Sequence, residues 1–178
     1  KRQPGKLNFA STGSGGGPHM VAELFRLEAG IDMVHVPYKG DAPLTPALIA
    51  GEVQYSFLTP IAVLQHIKSG RLRGLAVTGN TRASIAPDVP TMAEAGLAGV
   101  EYIGWIGLFA PGGTPRDIQV RLSEEAIRAL KMPDILERVP GWGGEPAGTG
   151  PDEFAARYRA DIAKYTRITR EAGVPSVD

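Results

Sequence analysis

The chain has 178 residues, 43% of them hydrophobic, and its 19 basic and 19 acidic side chains cancel to no formal net charge. That length allows a packed core in one domain or two small ones, and the charge balance offers no footprint for nucleic acid and no basic face for anionic lipid. There is no cysteine, so disulfides and thiolate chemistry are excluded, and no apolar run approaches the length of a bilayer span.

The opening Lys1-Arg2-Gln3-Pro4-Gly5 has no apolar segment behind it and does not read as a signal peptide. Leu7 to Ser11 then suits a short strand, and Thr12 to Gly17 a turn, with Gly13, Gly15, Gly16 and Gly17 freeing the backbone. Pro18 fits a first helical position, and Met20, Val21, Leu24, Phe25 and Leu27 recur at helical spacing up to a stop at Gly30. Met33 to Pro37 reads as a second strand with a turn at Lys39-Gly40, and Pro43 to Ala50 as a short helix closed by Gly51. Val53 to Leu58 predicts a third strand; Thr59-Pro60 caps and starts a helix that stops at Gly70; Leu72 to Thr78 predicts a fourth strand. Strand and helix alternate with connections too long for hairpins, the pattern of a parallel α/β sheet.

From Asn80 to Pro90 the chain reads as loop, and Thr91-Met92-Ala93-Glu94 is a capping-box pattern opening a short helix to Gly96. Tyr102 to Phe109 predicts another strand, broken at Pro111-Gly112-Gly113. Two amphipathic helices follow. One carries Ile118, Leu122, Ala126, Ile127 and Leu130; the other, from about Pro151, carries Phe154, Tyr158, Ile162 and Tyr165. A turn at Pro140 to Gly144 separates them, and no strand comes after them for their apolar faces to cover.

The glycine-rich turn is the main functional signal. A helix start with unpaired amides and the positive end of the helix dipole receives an anion, phosphate or carboxylate. The turn lacks the lysine of a P-loop; Pro18 occupies the third glycine of a dinucleotide fingerprint; Thr12 occupies the first glycine of a nucleophile elbow at Ser14. It is an anion cradle without a catalytic signature. His19, just inside the helix, is placed to donate to a ligand or to brace the loop. The ends of parallel strands share one edge, so Ser11 to Gly15, Tyr38 and Thr59 are expected around one crevice. No paired carboxylates and no nucleophile–base pair stand out there, and His19, His35 and His66 share no metal-binding spacing. Trp105 and Trp142 read as packing residues.

Asn8 to Gly15 with Pro18-His19 resembles the second-lobe loop of the Bug/TctC-type receptors of tripartite tricarboxylate transporters. So do Val34 to Gly40, His66 to Thr78, Pro87 to Gly96 and Gly107 to Pro115, in order and with matching spacing. The resemblance implies a type II-like periplasmic binding protein fold, no enzymatic activity and no cofactor. It implies a small di- or tricarboxylate or acidic amino acid as ligand, and the transporter's membrane components as partners. Carried over by position, Ser11, Thr12, Gly13, Ser14, Gly15 and His19 belong to the ligand site, with Tyr38 and Thr59 as further members. Against the family pattern, Gly16 stands where Thr or Ser is common, and the third-strand exit reads Phe57-Leu58-Thr59 where an acidic residue is common. The resemblance also begins past the family's export signal and first-lobe strands. It implies that residues 5–104 form the second lobe and 105–178 the return strand and C-terminal helices of an incomplete first lobe. Those helices are expected to be displaced, paired in a dimer or partly exposed. The rival reading is a phosphate- or nucleotide-binding α/β enzyme using the same loop; a weaker one is an interaction module.

Overall fold

The computed structural model describes residues 5–142 and 144–174. In order these form β1 (Asn8–Ser11), α1 (Gly17–Ala29), β2 (Val34–Pro37), α2 (Asp41–Ala50), β3 (Tyr55–Ser56), α3 (Pro60–Lys68), α4 (Arg116–Leu130), α5 (Pro133–Arg138), a 3-10 turn (Val139–Trp142) and α6 (Pro151–Ala172). The described residues divide into two compact units. One runs up to Gly104 and includes the chain from Arg167 onward; the other is Trp105–Thr166.

In the first unit the three strands pair in parallel in the order β2-β1-β3, as the alternation of strand and helix predicts. The register sets Phe9 beside His35 and Tyr55, and Ala10 beside Val36 and Ser56. Because successive side chains point to opposite faces, the central strand feeds two cores. Phe9 packs with Ala22 of α1 and Met33 on one face; Ala10 packs with Leu44 of α2 and Val53 on the other. Phe9, Ala10 and Ser11 are fully buried. A third cluster joins Val21 of α1 to Met92 and Val100. The end of α6 adds buried Ile168, while the Arg26 guanidinium donates to the Ala172 carbonyl at 3.2 Å.

Several sequence expectations are corrected. α1 starts one residue early, with Gly16 as its cap and Pro18 at its second position, and α2 starts at Asp41 rather than Pro43. Strand three shrinks to Tyr55–Ser56. The fourth predicted strand is reduced to a single bridge, Val77 to Thr91. Its neighbouring segment carries Pro87 and Pro90, which have no N–H for a ladder. The predicted strand from Tyr102 to Phe109 is irregular: the Tyr102 amide donates to the Thr78 carbonyl at 3.0 Å and the Thr78 hydroxyl to the Tyr102 carbonyl at 2.8 Å, but among the described residues no ladder continues from there.

Thr91 to Gly96 forms a capping box without an α-helix. The Thr91 amide donates to the Glu94 carboxylate at 2.7 Å, and the Glu94 amide to the Thr91 hydroxyl at 3.1 Å. Gly96, at φ 86°, ends the segment before further turns can repay nucleation. Arg82 grips the same carboxylate, whose pKa is held below the usual range first by that bond and then by the Thr91 amide. Thr91 is buried, so Thr91→Ala is expected to cost about 1 kcal/mol, read as a lower urea midpoint at unchanged slope. An unchanged midpoint would show that the cap is idle.

The second unit contains α4, α5, the 3-10 turn and most of α6; α5 is an element the sequence reading did not anticipate. Trp105 packs edge-on against Phe154 at 5.0 Å and donates its indole N–H to Asp161 at 2.6 Å, a packing role as predicted. Phe109 joins the same group through Phe154 and Tyr158. Ile106, Leu108, Ile118, Leu122, Met132, Leu136 and Ile162 are exposed. The turn predicted at Pro140 to Gly144 begins with the 3-10 residues; Gly143 and the side chain of Trp142 lie outside the described set.

Candidate functional site

The three strand ends lie along one edge of the sheet. The segment leaving β2 is tied to the glycine-rich loop leaving β1: the Tyr38 amide donates to the Ser11 carbonyl at 2.8 Å, and the Gly40 amide to the Thr12 carbonyl at 3.1 Å. Glycine is demanded at Gly15, where φ is 78°, and at Gly17, where a Cβ would fall on the Tyr102 hydroxyl.

Beneath the loop lies a buried polar cluster. Ser11 Oγ is 2.6 Å from Nε2 of His35, and also contacts the Gly13 carbonyl at 3.0 Å and the Gly13 amide at 3.3 Å. The Gly15 amide donates to Nδ1 of His19 at 3.0 Å. The His19 and His35 rings stack with centroids 3.8 Å apart, and His35 stacks on Phe9 at 4.8 Å. On its far side His19 faces the Glu23 carboxylate at 3.7 Å, which pairs with Arg26 at 2.6 Å.

Burial is the main reason both imidazoles are hard to protonate. It pushes His35 down to about 4, with the stacked His19 adding to the effect. His19 is lowered as well, burial outweighing the opposing pull of Glu23. Desolvation penalises the cation more than one nearby carboxylate supports it.

The expected site residues fall into two groups. Ser11 and His19 are buried, and their side chains are committed to the loop's own backbone. Ser14 and Gly15 are exposed; Thr12, Gly13 and Tyr38 are half-buried. Among the described residues, the amides of Ser14, Gly16, Gly17 and His19 donate no hydrogen bond, which leaves four donors around the start of α1. Tyr38 packs on the Ala10 core. Thr59 is exposed at the cap position of α3, but its hydroxyl makes no cap bond, correcting the capping role read from Thr59-Pro60.

His35 was not among the expected residues. The sequence shows no nucleophile–base pair at this edge, and the structure brings Ser11 and His35 within hydrogen-bond distance. The signal was the register: a histidine beside Phe9 on a neighbouring strand shares its face. A serine oxygen beside an imidazole is the geometry of an activated nucleophile, yet Ser11 is fully buried and its hydroxyl donates to the Gly13 carbonyl. Among the described residues no three His, Asp or Glu side chains are placed to hold a metal ion.

A strand-end loop whose unclaimed amides sit at a helix start is the kind of edge at which α/β proteins hold anionic ligands. The chain belongs to the TctC family, the tripartite tricarboxylate transporter family receptor, whose pattern matches residues 1–174. Members of this family are periplasmic solute-binding receptors rather than enzymes. A UPF0065 protein from the tcbD-tcbE intergenic region of Pseudomonas sp. strain P51 is 37% identical over 96% of this chain and 51% of its own length. Rpa4515 of R. palustris, solved with adipate, is 30% identical at a TM-score of 0.86, over 99% of this chain and 59% of that one. MatC of Rhodopseudomonas palustris, with bound malate, is 29% identical at a TM-score of 0.80, over 92% and 57%. The periplasmic binding protein BugD is 28% identical at a TM-score of 0.79, over 97% and 58%. The chain thus spans about half the length of the first of these relatives and under two thirds of each solved one.

Proposed function

We propose that this chain supplies one wall of the ligand cleft of a periplasmic receptor for a small carboxylate, delivering it to the membrane components of a tripartite transporter. The observation that carries the reading is the set of unclaimed amides at Ser14, Gly16 and Gly17, held at the positive end of α1. Adipate and malate in two relatives are dicarboxylates, the chemistry such amides accept. In this reading Ser14, Gly16 and Gly17 offer their amides to the ligand beside Thr12; Gly13 and Gly15 shape the loop with their amides held inward; the Ser11 and His19 side chains brace it from behind, and Tyr38 and Thr59 flank it. Residues 5–104 are the second lobe. Residues 105–178 return to the first lobe, whose sheet would cover the exposed apolar side chains of α4 and α5.

The test is a thermal-shift screen with adipate, malate, citrate, glutamate and ATP. It is run on this chain and on the chain joined behind the N-terminal portion of the adipate-bound relative. Stabilisation of the joined protein by a carboxylate is expected, about 2.7 kcal/mol at a hundredfold excess over Kd. Stabilisation by ATP alone, or by no carboxylate, would overturn the reading.

A further inference from the structure

Resting on the reading of the loop as a carboxylate cradle, we propose that His35 is a positioning residue for that loop. Its ring sets the Gly13 and Gly15 segment through Ser11 on one side and through the His19 stack on the other. His35 lies on β2, outside the loop, and reaches it through these two neighbours.

Proton counting supports the assignment. Ser11 Oγ has one hydrogen to give and two lone pairs to receive. Its three contacts are all satisfied in one arrangement: His35 donates from Nε2, the Gly13 amide donates as well, and Ser11 donates to the Gly13 carbonyl. The opposite tautomer would take the serine proton and leave the Gly13 carbonyl without it. His19 is fixed by the same logic. Its Nδ1 accepts from the Gly15 amide, so its hydrogen is on Nε2, toward Glu23. The two stacked rings are nearly parallel, 11° apart, so neither can turn without displacing the other. The consequence is that the amides at 13 and 15 are drawn inward, while those at 14, 16 and 17 remain for a ligand.

The experiment uses the intact chain and its joined form. Amide NMR signals of Gly13 and Gly15 report the brace without any ligand, and titration with adipate and malate reports the cradle. His35→Phe keeps an aromatic ring for the stack but removes the donor. It is expected to shift both glycine signals and lower carboxylate affinity about tenfold or more. His35→Gln, whose amide nitrogen can reach the position of Nε2, is expected to restore the Gly13 signal and bring affinity within about threefold of the parent. Should His35→Phe fail to fold, Ser11→Ala removes the same bond while leaving both rings, and is expected to move the Gly13 signal and lower affinity in the same way. Unmoved glycine signals in a folded His35→Phe or Ser11→Ala protein would overturn the proposal. So would His35→Gln behaving no better than His35→Phe. If the parent protein binds no carboxylate, the receptor reading fails, and the glycine signals still decide whether His35 sets the loop.

Discussion

Phe9→Ala is expected to remove about 3–5 kcal/mol of stability, the range for truncating a buried aromatic side chain. The ring is fully buried in the central strand and packs with Ala22 and Met33. It also stacks on His35 at 4.8 Å and lies 5.9 Å from Tyr55. A short parallel sheet cannot collapse to fill the void, because both flanking strands are held to β1 by their ladders. The loss has a local sign as well: without Phe9 beneath it the His35 ring loses one stacking partner, and water gains a path toward Ser11. Urea unfolding measures the first effect, and hydrogen exchange at Gly13 and Gly15 the second. Leu75→Ala, at a side chain 65% exposed, serves as the control and is expected to change stability by under about 0.5 kcal/mol. A Phe9→Ala loss no larger than that of the control would show that the core lies elsewhere.

The parts of this fold that could be read from the sequence are those set by local chemistry. Gly30 and Gly51 end their helices in left-handed conformation because a residue without Cβ tolerates it. The alternation around Phe9 and Ala10 places one residue in each core because strand side chains alternate. What could not be read depended on partners distant in sequence. Leu72 to Thr78 and Tyr102 to Phe109 have strand composition, but a strand exists only where a neighbour supplies a ladder. The same holds at the site. The loop glycines mark the turn by themselves, whereas the place of His35 beneath it comes from a register that pairs it with Phe9, 26 residues earlier. The loop was also divided in a way its composition does not reveal: Ser11 and His19 look like ligand donors in the sequence and are turned inward in the fold. The family resemblance was carried by short motifs in fixed order, which survive where pairwise identity has fallen to about one third.

Acidification from pH 7 toward 4 is expected to destabilise the first unit before its carboxylates titrate. The pKa of His35 is lowered from 6.5 to about 4 in the folded protein, and that of His19 is lowered in the same direction, burial leading in both. Between those limits the unfolded chain binds more protons than the folded one, so stability is complete above about pH 6.5 and falls as pH drops toward 4. The His35 shift alone sets a ceiling of about 3 kcal/mol, and partial solvent contact of the ring reduces this to about 1–2 kcal/mol. The titratable groups facing the pair do not reverse the sign. His19 on α1 and His35 on β2 face each other; α1 also brings Glu23, already paired with Arg26; β3 brings Tyr55, whose pKa burial raises further above neutral; β1 brings Phe9 and Ser11, neither of which titrates here. Urea midpoints at pH 7.0, 6.0 and 5.0 isolate the histidines, since unpaired carboxylates begin to titrate lower. His35→Phe is expected to flatten this slope, and a slope equal to that of the parent would assign the acid sensitivity to other groups. The chemical consequence concentrates at Gly15. A proton added to His19 must go to Nδ1, the atom that accepts the Gly15 amide, so an acceptor becomes a donor facing a donor. The hydrogen bond that holds the loop inward is then lost, and the cradle loosens in the pH range where the core beneath it weakens.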